Sequence, residues 1–197
     1  PGAMLHAGIL ESYHNDRELI LSQAGVALLA EGETADRPME ASAALASVRA
    51  DTFMHNGALQ KEVFGPFTLL VIGQHIEETK AAIKSLEGQL TASIFADSTD
   101  KQAAGDFIDM LLPLTGRLIF NDVPTGVEVS TAIVHGGPYP ATSNAQFTSV
   151  GTTAIQRWVR PVCFQDFPED LLPVELQDAN PLSVWRTVDG NWTNKAI

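Results

Sequence analysis

Between residues 67 and 120, apolar runs of strand length alternate with amphipathic runs of helix length, and this rhythm limits the possible folds more than any other feature of the chain. The order reads strand Phe67 to Ile72, helix Ile76 to Leu86, strand Leu90 to Phe95, helix Lys101 to Leu112, strand Arg117 to Phe120. Strands joined through helices by short connections form βαβ units, so the expected fold class is α/β, a parallel sheet flanked by helices. Glu77 and Glu78 open the first of these helices where the helix dipole favours anions, and Gly88 follows its end. Asp97, Ser98 and Thr99 are expected to cap the second, with Pro113 beyond its end.

Upstream, apolar residues at helical spacing predict an amphipathic helix over residues 8 to 24 that ends near Gly25. Val26 to Ala30 reads as a short buried strand, Glu31 to Pro38 as a polar loop, and Ala44 to Phe53 as a strand. Beyond Phe120 the texture changes: Pro124, Gly126, Gly136, Gly137, Pro138, Pro140 and Gly151 mark a long ordered loop, the kind of segment that often lines a site. Trp158 to Phe164 reads as a last strand. A Pro- and acid-rich tail from Asp166 to Ile197 follows, in which Trp185 and Trp192 are expected to pack.

Composition excludes several classes. A chain of 197 residues, 45% hydrophobic, can bury a sizeable core. Its apolar runs are too short to span a bilayer and no signal peptide opens it, so the expected location is cytoplasmic. The formal charge of -12 disfavours phosphate-backbone binding, which needs clustered Lys and Arg. One cysteine forms no internal disulfide, and the five histidines show no metal-ligand spacing, so no metal site is expected. Cys163, between Pro161-Val162 and Phe164, reads as a buried spectator, since no nearby His, Lys or helix start would favour its thiolate. Gly136-Gly137 fits no phosphate-loop pattern and reads as a turn.

Lys61-Glu62-Val63-Phe64-Gly65-Pro66, just before the first regular strand, leaves two readings open. Glu62 is either a surface carboxylate paired with Lys61 or an acceptor for ligand hydroxyls, presented by a Gly-Pro turn. Phe64 is either core filler or a flat apolar wall for a planar ring.

The same stretch resembles the E-x-F-G-P motif of the aldehyde dehydrogenase superfamily. Ile119 to Val127, Val134 to Thr142 and Thr148 to Gly151 resemble its 2,5-dioxovalerate (α-ketoglutaric semialdehyde) dehydrogenase branch, as do Arg160 to Gln165, Leu171 to Pro173 and Asp178 to Leu182. The resemblance implies that residues 1–150 are the C-terminal part of a catalytic α/β domain, and 151–197 an oligomerisation strand with the C-terminal tail. It implies that Glu62 accepts hydrogen bonds from the nicotinamide-side ribose of NAD or NADP, and that Phe64 packs near the nicotinamide ring. Val123, Pro124 and His135 fall in the region that lines the aldehyde entrance in relatives; a Pro/Gly-stabilised turn explains them equally well.

In such enzymes a cysteine thiolate attacks the aldehyde, hydride passes to NAD(P), and a glutamate-activated water hydrolyses the thioester. No G-Q-x-C-type nucleophile segment occurs in the chain, and Cys163 lies downstream in the wrong context. The expectation is a C-terminal fragment, inactive alone and without catalytic residues of its own. Its parent would be a homo-oligomer acting on a small aldehyde. The alternative is a domain that folds and oligomerises without catalysis.

Overall fold

The computed structural model describes residues 1–33, 37–124, 126 and 130–197. The loop reading at 34–36, and the motif positions Thr125 and Val127, lie outside the described residues. The chain forms two compact units, Pro1–Ala154 and Ile155–Ile197.

The first unit begins with β1 (Gly2–Ala3) and α1 (Ala7–Leu21), followed by β2 (Ala27–Glu31), β3 (Glu40–Ala41), β4 (Ala44–Arg49) and α2 (Ala50–His55). It continues with β5 (Phe67–Ile72), α3 (Ile76–Lys84), β6 (Gln89–Ile94), α4 (Lys101–Leu111) and β7 (Thr115–Phe120). The predicted α/β rhythm is therefore present, each element within a few residues of its expected bounds. β4 and β5 pair in parallel from Ala44↔Phe67 to Arg49↔Ile72, and β6 and β7 pair in parallel from Gln89↔Thr115 to Ile94↔Phe120. The sheet is not continuous: β5 and β6 are successive in the chain but are not ladder partners, and β2 adds to β4 antiparallel.

Local chemistry accounts for the helix starts. His75 caps α3 by accepting from Glu78 N–H at 3.3 Å, while the Glu78 carboxylate accepts from Gln74 N–H at 2.6 Å, so two orphan donors are satisfied reciprocally. His6 caps α1 through Ile9 N–H in the same way. α4 differs from expectation. Its N-cap is Asp100, with no side-chain cap bond; the Asp100 carboxylate accepts from Asp97 N–H at 3.3 Å, and the Asp97 carboxylate accepts from Thr99 N–H and Oγ1 at 2.7 and 2.6 Å.

The core gathers Ile20 of α1, Val48 of β4, Ala50 and Phe53 of α2, Leu59 of the 3-10 turn Gly57–Gln60, and Ala82 of α3, with Val63, Phe67, Leu69 and Val71 packed against it. β4 alternates so that Ala44, Ala46 and Val48 are buried. Three expectations fail here. The strand expected over Ala44 to Phe53 ends at Arg49, and helix α2 begins at once, with Asp51 in its first turn. β2 is a strand, but all five of its residues are exposed; among the described residues it is an edge strand paired with β4. Cys163, in the second unit, is exposed.

In the second unit Trp158 to Phe164 is not a strand: no ladder partner exists for it among the described residues, and Trp158, Val159 and Val162 stay exposed. β-forming composition supplies no strand without a second backbone to bond. The tail instead contains a hairpin, β8 (Arg186–Val188) and β9 (Asn191–Thr193), on which Trp185 and Trp192 stack with ring centroids 6.0 Å apart and planes 13° from parallel. Both rings remain more than half exposed, at 58% and 68%. Asn180 organises the neighbouring turn, bonding Val184 N–H, Val184 C=O and Asn194 C=O. No helix among the described residues is long and apolar enough to cross a membrane.

Candidate functional site

The Lys61-to-Pro66 stretch leaves the short 3-10 turn Gly57–Gln60, bends at Lys61 and again at Gly65 and Pro66, and enters β5 at Phe67. Along it the odd positions make contacts and the even ones are offered. Lys61 reaches Asp16 of α1, Nζ to Oδ1 at 2.6 Å; Val63 packs on the core; Gly65 lies against the Tyr13 ring. Glu62 and Phe64 face outward, Phe64 at 62% exposure. The pairing of Glu62 with Lys61 is therefore not made: the lysine's charge is spent on Asp16, and among the described residues Glu62 enters no ion pair.

Two clefts open beside this stretch. The first, of 480 Å³, is walled by Ile20, Leu59, Val63, Phe67 and Leu69, with Glu62 and Phe64 on its lip. The second, of 750 Å³, reaches from Glu62 across Leu86, Leu111 and Leu114 to the start of β6 and to Pro140. Glu62 thus stands where the two clefts meet. An uncompensated carboxylate beside an exposed aromatic ring, above apolar walls, suits a ligand carrying vicinal hydroxyls and a flat ring. A carboxylate acceptor beside a flat apolar ring fits the ribose hydroxyls and nicotinamide of NAD(P).

The remaining candidates do not converge on one point. Val123 and Pro124 lie past the C-terminal end of β7, where the Asn121 side chain ties Ala96 N–H and C=O, both at 2.8 Å. The turn carrying His135 lies at the other end of the strands: Gly136 meets Gly116 near the start of β7, and Gly137 meets Gln89 at the start of β6. Backbone approaches this close leave no room for a Cβ, which is the reason for the paired glycines. His135 itself is fixed through its backbone, its N–H on Thr148 Oγ1 at 2.9 Å and its C=O accepting from Ser149 N–H and Oγ. Its Nδ1 is buried without a hydrogen-bond partner among the described residues.

The other histidines have structural contacts. His6 and His75 cap helices, His55 Nδ1 lies 2.7 Å from Asp51 C=O, and His14 packs beside Tyr13. No cluster of three or more His, Cys, Asp or Glu that could hold a metal occurs among the described residues.

Sequence reasoning missed Tyr13 and Asp16, the two α1 residues that grip this stretch. A tyrosine and an aspartate three apart share a helix face, but nothing in the sequence points that face at residues 61–66.

No family model matches the chain. It is 47% identical over 189 residues to an alpha-ketoglutaric semialdehyde dehydrogenase 2 of Azospirillum brasilense, covering 96% of this chain and 36% of that protein. It is 41% identical over 191 residues to an alpha-ketoglutaric semialdehyde dehydrogenase of Acinetobacter baylyi, with the same two coverages. The chain therefore spans about a third of the length of the curated relatives it matches. Among solved structures, a Delta-pyrroline-5-carboxylate dehydrogenase from Mycobacterium tuberculosis aligns with a TM-score of 0.63 at 19% identity, over 87% of this chain and 32% of that one. A betaine aldehyde dehydrogenase from Staphylococcus aureus in complex with NAD+ aligns with a TM-score of 0.58 at 17% identity, over 80% of this chain and 29% of that one.

Proposed function

From a chain that belongs to the aldehyde dehydrogenase superfamily, and matches α-ketoglutaric semialdehyde dehydrogenases over 96% of its length, we propose that it is the C-terminal portion of an NAD(P)-dependent enzyme. That enzyme oxidises an aldehyde to a carboxylic acid, with 2,5-dioxovalerate as substrate and 2-oxoglutarate as product. The chain's part in this is to build one wall of the cofactor site. Glu62 accepts from the nicotinamide-side ribose hydroxyls and Phe64 bounds the space of the nicotinamide ring. Bound there, the nicotinamide supplies the hydride acceptor.

The observation that carries the reading is the state of Glu62: an outward carboxylate at the junction of two clefts, beside an exposed Phe64, with the neighbouring lysine drawn off to Asp16. Val123, Pro124 and His135 are proposed to shape the aldehyde entrance. Their separation along β7 favours Val123 and Pro124, at the carboxyl end of the strand, where parallel α/β sheets bind their ligands. Trp158 to Phe164, largely apolar, exposed and without a ladder partner among the described residues, is proposed to pair across a subunit interface in a homo-oligomer.

The test is Glu62→Gln in the full-length dehydrogenase. A charged acceptor's hydrogen bonds contribute roughly 1.5–3 kcal/mol, so the cofactor KM is expected to rise about ten-fold or more. An unchanged cofactor KM would overturn the assignment of Glu62. The chain by itself is expected to form no reduced cofactor from aldehyde and NAD(P). Turnover by protein of the intact mass of this chain would refute that.

A further inference from the structure

We propose that α1 is a two-point clamp that sets the pose of Glu62 and Phe64, with Asp16 and Tyr13 as its positioning residues; the inference deepens the cofactor-site reading and rests on it. The two residues lie three apart on one helical face. Asp16 takes Lys61, immediately before Glu62, at 2.6 Å. Tyr13, wholly buried, takes the turn immediately after Phe64: its ring fills the space above Gly65, and its hydroxyl donates to Ser42 C=O at 2.6 Å with Pro66 C=O at 3.4 Å. Pro66 C=O also accepts from Ala44 N–H at 2.9 Å, which ties the same turn to β4.

The consequence is geometric. The two outward side chains sit between two fixed points four residues apart, Lys61 and Gly65, with Val63 anchored inward between them. A short segment held at both ends and at its middle has little freedom to rotate the intervening residues, so Glu62 and Phe64 keep their separation and direction. The hold at the Lys61 end is electrostatic and half exposed, at 54% for the lysine side chain, whereas at the Gly65 end the buried Tyr13 packs its ring on the glycine and bonds its hydroxyl to Ser42 C=O. The Glu62 end should therefore respond to salt and to Asp16, and the Phe64 end to Tyr13.

The experiment compares amide hydrogen exchange in this chain for wild type, Asp16→Asn, Tyr13→Phe and the charge-swapped pair Asp16→Lys with Lys61→Asp. Exposed ion pairs contribute up to about 1 kcal/mol, so exchange of the Lys61 amide, which donates to Ala58 C=O, is expected to quicken roughly two- to five-fold in Asp16→Asn and to return toward wild type in the swap. Exchange in β4 and β5 is expected to hold in Asp16→Asn. Unchanged exchange at the Lys61 amide in Asp16→Asn and at the Phe67 amide, which donates to Gly65 C=O, in Tyr13→Phe, or acceleration spread evenly over the unit, would overturn the clamp. In the full-length dehydrogenase the same variants are expected to raise the cofactor KM several-fold with kcat nearly unchanged. If Glu62→Gln raises that KM and neither Asp16→Asn nor Tyr13→Phe does, the clamp is refuted and the site reading survives. If Glu62→Gln leaves it unchanged, the site reading fails, and the exchange data alone decide whether α1 orders the turn.

Discussion

The Tyr13 ring occupies the space that a side chain on Gly65 would need: a Cβ built there lies 2.9 Å from Cε2 and closer still to Cδ2. Tyr13 is fully buried and its hydroxyl is bonded, so it has no room to retreat. Gly65→Ala is therefore expected to destabilise the chain by about 1–3 kcal/mol, the usual cost of overpacking. Gly105→Ala in α4 is the control, because its Cβ would meet nothing within 4 Å. There the same chemical change is expected to stabilise by roughly 0.5–1 kcal/mol, the helix preference of alanine over glycine. Urea midpoints of the two variants moving in the same direction would contradict this account.

Burial raises the Tyr13 phenol above its ordinary range, with Arg17 opposing and Glu31 adding to the shift. Arg17 and Glu31 are themselves ion-paired across α1 and β2. A raised folded-state value means that the contribution of Tyr13 is complete below the unfolded value of about 10 and is lost as pH climbs through the folded one. Lys80, raised first by its bond to Asp106 and then by Glu77, loses its contribution in the same direction. The wild-type chain is thus expected to weaken steadily above pH about 10, and Tyr13→Phe to flatten that decline while leaving the Lys80 part. Thermal melts of both proteins across the alkaline range measure it; identical slopes would refute the role of Tyr13.

The parts of the fold that were legible in the sequence are those set by periodicity along one segment. β5, α3 and α4 carry their own apolar pattern and fall where it put them. What failed depends on a second segment. Val26 to Ala30 had strand composition, but its burial depends on what covers an edge strand. Trp158 to Phe164 had strand composition and, among the described residues, no backbone to pair with. Lys61 and Glu62 were adjacent in sequence, but the lysine pairs with Asp16, a residue of α1 that no local pattern places beside it. The motif itself made Glu62 and Phe64 visible. The helix that grips them was not, because a grip is a long-range contact with no local pattern.

Cys163 shows the same lesson and supplies a third prediction. Its apolar neighbours suggested burial, yet apolar neighbours in sequence do not bury a residue unless the segment packs, and this one leaves the thiol exposed. A disulfide reagent is expected to titrate one thiol per monomeric chain without denaturant. A thiol that reacts only after unfolding would show that Trp158 to Phe164 is covered in solution.

The hairpin of the second unit rests on two residues in the left-handed region, Asp189 at φ 48° and Gly190 at φ 79°. An Asp-Gly pair between short apolar and β-branched residues is the strongest short-range hairpin signal, and it was available in Val188-Asp189-Gly190-Asn191. With positive φ at both central positions, the turn follows the right-handed twist of the flanking strands and brings Thr187 opposite Trp192. Trp185 then lies within stacking distance of Trp192. Gly190→Ala is expected to cost about 1 kcal/mol locally, since a side chain disfavours this conformation, although nothing lies within 4 Å to clash with it. Gly190→Val, branched at Cβ, should cost more. Both should weaken the near-ultraviolet circular dichroism of the stacked indoles in that order, while the first unit's melting is unchanged. Equal signals in wild type and Gly190→Val would mean that the indole stack does not depend on the turn.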